Sequence, residues 1–337
     1  MRKIKTILVL LAILCVALPF AAATLLTQTG ASDATLYVDP PSIEDPAILL
    51  GDNIVIHIMI DSVSDMKTCE FNLTFSPSVL SVLRITKLAV QGQYPDSKLD
   101  LDSDNGYIWI SLVYKTALTI TTDTAILEIE FYVKDYGATD LHFQSSELLD
   151  TGGAPIPHET RDGFVRIILR NIVVKQISPT YSETYVGRII PINVTTLNDG
   201  NIPETFTVSL FYDSTLIDTM DAVDLPPTEN ITVTFNWDTA SAPPLMTPYT
   251  IKAEASTVPY EVNTTDNTLV DGTIKLKIVG DVDGDGAVDI NDLIAWDDAY
   301  ESHAGDPSWN AQADINNDSV VDKADATLIL DHYKETL

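Results

Sequence analysis

Basic residues are scarce. The chain of 337 residues has 19 Lys and Arg against 49 Asp and Glu, a formal charge of −30. Phosphate-rich partners require a basic patch, so nucleic acid is excluded as a ligand class, and an anionic membrane surface with it. Cysteine is scarcer still. Cys15 and Cys69 are the whole complement, so the fold does not rest on a disulfide framework. The five histidines are scattered, and no zinc-type His pair, Gly-x-Ser-x-Gly elbow or phosphate-binding loop occurs. Glu128 and Glu130 share one strand face, but adjacent outward carboxylates do not straddle a scissile bond as glycosidase pairs do, and they read as a solvated face. Nothing here supports catalysis, and the chain reads as a non-enzyme.

One long apolar run exists, and it is N-terminal. Arg2, Lys3 and Lys5 precede the unbroken stretch Ile7 to Leu18, and Pro19-Phe20-Ala21-Ala22-Ala23 follows. This reads as a signal peptide over 1–23 with cleavage after Ala23, the run being short of the ~20 residues a membrane span needs. A short polar spacer covers 24–33. The expected product is secreted, extracellular or held at a cell surface, with no transmembrane segment once the signal is removed. With 45% apolar and 20% charged residues, the remainder is no disordered tail. At about 150 residues per domain it suggests two to three domains.

Residues 34–170 read as strands. Ile54, Ile56, Ile58 and Ile60 fall on one face, and Leu127, Ile129 and Phe131 alternate with Glu128 and Glu130. Tyr107 to Val113 and Phe164 to Leu169 are further β-rich runs, with Asp-Pro-Pro, Gly-Asp and Asp-Asn-Gly turns between the strands. Many half-buried strands with no intervening helix imply a β-sandwich. Cys69 alternates with Phe71, Leu73 and Phe75, which makes it a small core residue rather than a nucleophile. Residues 171–278 repeat the pattern. Ile190, Ile192 and Val194 form one strand face, and Ile231, Val233, Phe235 and Trp237 form another. About seven strands in this block fit an immunoglobulin-like sandwich without its disulfide. Sequons occur at Asn72, Asn193, Asn230 and Asn263, candidate glycan acceptors in an exported chain, and at Asn317.

From Gly280 the composition changes. The last 58 residues hold 15 acidic residues and 2 lysines. The spacing of Leu293, Trp296 and Tyr300, and of Leu328, Ile329 and Tyr333, predicts short helices over 292–300 and 323–334. An acidic loop precedes each helix. The first offers Asp281, Asp283, Asp285, Asp289 and Asp292 at loop positions 1, 3, 5, 9 and 12, and the second offers Asp314, Asn316, Asp318, Asp322 and Asp325 at the same positions. Position 7 adds the main-chain carbonyls of Ala287 and Val320. A hard cation takes six to eight oxygens at about 2.3–2.6 Å, and this register presents them to one centre. Two calcium ions are therefore expected as cofactors. Without cations such carboxylates repel one another. Gly286 stands at position 6 of loop one and Ser319 at that position of loop two, so loop one is expected to bind more tightly.

Together with the opening Gly280-Asp-Val-Asp-Gly-Asp-Gly286 and Trp309-Asn310 before loop two, the loop–helix duplication over 279–337 resembles a dockerin module. The resemblance implies docking onto cohesin modules in trans, with Ile290, Asn291, Lys323 and Ala324 at loop positions 10 and 11 as partner-binding residues. These residues differ between the repeats, which argues against a symmetric binding mode. Residues 34–170 in turn resemble a cohesin module, through Tyr37-Val-Asp-Pro-Pro41, Gly51-Asp-Asn-Ile-Val-Ile56, Glu70-Phe-Asn-Leu-Thr-Phe75 and Asp162-Gly-Phe-Val165. This implies a nine-stranded jelly-roll-like sandwich. Asn193 to Asn201, Leu225-Pro-Pro227 and Asn267-Thr-Leu resemble the CARDB type of immunoglobulin-like module. The expected function is a non-catalytic scaffold or adaptor that pairs with cohesin or dockerin modules on copies of itself or on other extracellular proteins. The alternative is a carbohydrate-binding, polysaccharide-associated surface module plugged into an enzyme complex.

Overall fold

Alternating burial builds the first sandwich. In the computed structural model, which describes residues 34–337, Ile54, Ile56, Ile58 and Ile60 are all buried, and so are Cys69, Phe71, Leu73 and Phe75. The signal-peptide and spacer readings over 1–33 lie outside the described residues. Strands β1 (Thr35–Asp39), β2 (Ser42–Ile43), β3 (Asn53–Asp61), β4 (Val63–Thr74), β5 (Leu80–Lys87) and β6 (Asp96–Asp102) are followed by β7 (Tyr107–Ile120), β8 (Thr124–Val133), β9 (Gly137–Asp150), β10 (Glu159–Arg161) and β11 (Gly163–Ile167). They form a five-stranded sheet, β10-β1-β3-β8-β5, against a six-stranded sheet, β2-β11-β9-β4-β7-β6. The sandwich thus has eleven strands where nine were expected. β2 and β10, of two and three residues, are short edge segments. The core between the sheets is aliphatic, with edge-to-face aromatic pairs Phe71–Phe143 and Phe75–Phe131.

Glu128 and Glu130 face outward as expected, but they are paired rather than simply solvated. Arg84 lies 3.0 Å from Glu130 and 3.8 Å from Glu128, and His57 lies 3.6 Å from Glu128.

The second sandwich comprises β12 (Ile172–Pro179), β13 (Glu183–Tyr185), β14 (Ile189–Asn198), β15 (Glu204–Tyr212), β16 (Thr215–Leu225), β17 (Asn230–Asp238), β18 (Tyr249–Ala255) and β19 (Thr268–Lys277). Sheets β12-β14-β17 and β13-β19-β18-β15-β16 face each other over a core in which Trp237 stacks on Tyr212 with centroids 4.8 Å apart. The asparagines at the β14–β15 connection, which crosses between the sheets, have structural work. Asn198 Nδ2 donates to the carbonyls of Ile202 and Leu225, both at 2.8 Å. Asn201 bonds the main chain of Ile167 and Leu169, at the end of the first sandwich.

Two helices follow, α1 (Ile290–Asp297) and α2 (Lys323–Asp331). Each is shorter at its C-terminal end than the apolar spacing predicts. α1 ends at Asp297 and Asp298, and α2 ends at Asp331 with no basic residue in its last turn. Carboxylates at a helix C-terminus face the negative end of the macrodipole, which disfavours a further turn. Among the described residues no helix is long and apolar enough to cross a membrane.

Candidate functional site

The two acidic loops close alike at their far ends and differ by one residue in one bond near their starts. Asp281 is fully buried and accepts the main-chain N–H groups of Gly284 at 2.8 Å and Gly286 at 3.2 Å. Asp314, 4% exposed, accepts those of Asp318 at 3.0 Å and Ser319 at 2.9 Å. At the far end of each loop, Asp292 accepts from Val282, Asp283 and Asp289, and Asp325 accepts from Ile315, Asn316 and Asp322. Position 9 opens each helix, so α1 starts two residues ahead of the 292 that the apolar spacing predicts. Asp289 and Asp322 are the N-caps, and Asp292 and Asp325 complete capping boxes. Burial pushes the carboxyls of Asp281, Asp292 and Asp325 above the usual carboxylate range, although the main-chain donors pull the other way.

The chain conformation explains the residues between the ligand positions. Gly284 and Gly286 have φ of +81° and +90°, and Asn317 and Ser319, at the same places in loop two, have +62° and +72°. Asparagine tolerates the left-handed region better than serine. Each loop is also pinned by the segment that follows the other loop's helix. Val288 N donates to the carbonyl of Glu335, and Val321 N to that of Ser302, both at 2.9 Å. Val288 and Val321 are fully buried beneath this pairing.

Carboxylate oxygens of Asp281, Asp283 and Asp285 lie within 4.8 Å of one another. Two oxygens that each sit about 2.4 Å from one ion are up to about 5 Å apart, so the cluster has the dimensions of a hard-cation site, and its all-oxygen donor set suits calcium. In loop two Asn316 replaces one carboxylate, and its amide donates to Asp318 at 2.8 Å.

The residues at positions 10 and 11, Ile290, Asn291, Lys323 and Ala324, are all exposed at the helix starts. Ile294, one turn beyond Ile290, is 54% exposed, whereas Thr327 holds that place on α2. At these two places α1 presents isoleucines and α2 a lysine and a threonine, and one turn further on α2 exposes Leu330 where α1 has Asp297.

Three residues of the second sandwich belong to this site, and sequence reasoning missed them. Tyr185 is 1% exposed and packs into the core of the loop–helix unit with Ile278, Val288, Ala313 and Ile329. Its phenol donates to the carbonyl of Gln312 at 2.5 Å and also reaches that of Asp281 at 3.3 Å. Arg188 donates to the carbonyls of Asp314 at 3.0 Å and Ile315 at 2.6 Å, and Lys275 to that of Gly284 at 2.8 Å. Each contact to loop two spans more than 120 residues of sequence, beyond the reach of any periodicity argument.

On the first sandwich, the outer face of β6-β7-β4 carries a concavity of about 490 Å³ lined by Glu70, Asp96, Ser97, Lys98, Trp109, Ser111 and Val113. Trp109 is half-buried, and its indole N–H donates to Glu70 at 3.1 Å. Of the sequon residues, Asn193, Asn230 and Asn263 are exposed, as is Asn317 in loop two. Asn72 is half-buried with its amide donating to Gln144 at 2.9 Å.

Two sandwiches of mostly antiparallel strands thus stand ahead of a small loop–helix unit. Residues 43–167 match the cohesin domain family and residues 170–271 match CARDB, so the chain carries a cohesin domain, a protein-interaction module, and a CARDB domain. Neither module type is catalytic. Among solved structures, a non-cellulosomal cohesin from the hyperthermophilic archaeon Archaeoglobus fulgidus is 15% identical, with 40% of this chain and 91% of that chain covered and a TM-score of 0.34. A type I cohesin–dockerin complex from Clostridium thermocellum gives 15%, 40%, 92% and 0.33. A type II cohesin dyad from an adaptor scaffoldin of Acetivibrio cellulolyticus gives 14%, 73%, 96% and 0.33. No curated protein is significantly similar to the chain.

Proposed function

We propose that this protein is an exported, non-catalytic adaptor. It receives dockerin-type partners on its cohesin domain and plugs into cohesin-type partners through residues 279–337, a dockerin-type module folded by two calcium ions. The partners lie on other extracellular proteins or on copies of this chain. The observation that carries the reading is the doubled acidic loop, in which the position-12 carboxylate accepts from positions 2, 3 and 9 and the position-1 carboxylate from position 6 in both copies, on the same chain as a cohesin domain. In loop one, Asp281, Asp283, Asp285, Asp289 and Asp292 with the Ala287 carbonyl hold an ion. In loop two, Asp314, Asn316, Asp318, Asp322 and Asp325 with the Val320 carbonyl do so. Calcium supplies the charge that lets these carboxylates share one centre, and the loops then fix Ile290, Asn291, Lys323 and Ala324 for docking. Capture of cohesin modules by the full chain tests this, with calcium and with EGTA. Retention only with calcium is expected, and retention unaffected by EGTA contradicts it.

The concavity at Trp109 favours a second reading, in which the first sandwich binds a polysaccharide. An indole beside Glu70, Asp96 and Lys98 combines an aromatic surface with hydrogen-bonding groups. A glycan array probed with the full chain and with Trp109→Ala separates the two. Trp109-dependent glycan binding supports the second reading, and a blank array removes it.

A further inference from the structure

The sequence places a boundary near Val279, yet the side chains cross it. Of the five basic residues between Asn171 and Val279, three are Arg188, Lys275 and Lys277, and all three sit against the acidic loops. Arg188 and Lys275 donate to loop carbonyls. Lys277 is 1% exposed, with its ammonium 4.9 Å from the centre of the Tyr185 ring, and the Arg188 guanidinium lies 5.2 Å from that ring. Tyr185 itself ties the first residue of loop one to Gln312, two residues before loop two. A β-carbon at Gly286 would meet Met246 Sδ of the same sandwich at 2.7 Å.

We infer that the CARDB domain completes the ion-binding unit, with Tyr185 and Arg188 as positioning residues that hold the starts of both loops in their binding conformation. This rests on reading the loops as calcium sites. The main-chain carbonyls of Asp281, Asp314 and Ile315 are fixed from outside the unit, so the position-1 carboxylates are aimed before an ion arrives. A bound partner then engages a helix face braced on a β-sandwich, not a freely swinging tail.

A positively charged Arg188 that only repelled the ion would predict the opposite sign on its removal, so the two effects can be told apart. The experiment uses the full chain with Tyr185→Phe, Arg188→Ala and, as a control away from the loops, Lys252→Ala. Amide hydrogen exchange without calcium is read first. Faster exchange at Gly284, Gly286, Asp318 and Ser319 in Tyr185→Phe and Arg188→Ala, with the cohesin domain and Lys252→Ala unchanged, is expected. Unchanged loop exchange overturns the inference, whatever the ion result. Calorimetric titration with calcium follows. Each of the two variants is expected to bind about three- to tenfold more weakly, the loss of one or two hydrogen bonds. Equal or tighter binding overturns the inference while leaving the calcium reading intact. Absence of binding by the unaltered chain overturns the calcium reading, and with it the assignment of these residues to ion binding.

Discussion

The carboxylate of Asp292 accepts the main-chain N–H of Val282, ten residues earlier, at 2.6 Å. The last ligand position of loop one is thereby folded back onto its second residue. Asp325 closes loop two on Ile315 at 2.8 Å. Each of these carboxylates stands in the first turn of a helix, so loop closure and helix capping converge on the side chain proposed as the last ion ligand.

Removing this convergence has a defined cost. Asp325→Ala breaks the capping box and leaves the N–H groups of Ile315, Asn316 and Asp322 without their acceptor, a loss of about 1–3 kcal/mol. Loop two is expected to lose its ion while loop one keeps its own. Calorimetry on the full chain checks this, and a variant that still takes up two ions contradicts it.

The loops are expected to differ in affinity. Ser319 holds φ at +72° where Gly286 holds +90°, and a left-handed non-glycine residue costs about 1 kcal/mol. Ser319→Gly should tighten loop two by up to about fivefold. Gly286→Ser should weaken loop one, through its φ and through the approach of Met246. Titration of single-loop variants gives the order. Tighter binding by loop two in the unaltered sequence contradicts the account.

Much of this was legible in advance because period two and the loop register are local signals. The burial of Ile54, Ile56, Ile58 and Ile60 and of Cys69 with Phe71 follows from alternation. β6 and β16 were not legible. Both are edge strands, and their sequences, Asp-Ser-Lys-Leu-Asp-Leu-Asp and Thr-Leu-Ile-Asp-Thr-Met-Asp-Ala-Val-Asp-Leu, are mostly exposed. An edge strand is held by main-chain bonds along one side and has little apolar pattern to display. The roles of Tyr185 and Arg188 were equally hidden, since each contacts loops from a strand region distant in sequence.

Cys69 should behave as core. It is fully buried, and burial pushes its thiol up to about 12. A thiol reagent is expected to label it only after denaturation, and Cys69→Ser should destabilise the first sandwich by about 1–3 kcal/mol by burying a hydroxyl. Labelling in the native state contradicts this placement.

Glu204 provides a pH signature away from the loops. It is 6% exposed and 3.3 Å from Arg170, and burial raises its pKa against the pull of that arginine. With the folded value above the unfolded one, ionised Glu204 opposes folding at neutral pH. That cost is relieved as pH falls through the raised value toward the ordinary glutamate value of about 4.3. Glu204→Gln should flatten the rise in Tm across that window relative to the unaltered chain. Parallel Tm curves contradict it.

The most direct test of the adaptor account is calcium titration calorimetry of the full chain beside an Asp281→Ala/Asp314→Ala variant. Tryptophan fluorescence is followed before and after EGTA. Trp296, whose indole donates to the Asp322 carbonyl at 3.0 Å, and Trp309 both lie in the loop–helix unit. The account predicts two ions bound by the unaltered chain, a fluorescence change reversed by the chelator, and neither response in the variant. Absence of binding, or a response that survives loss of both aspartates, contradicts it.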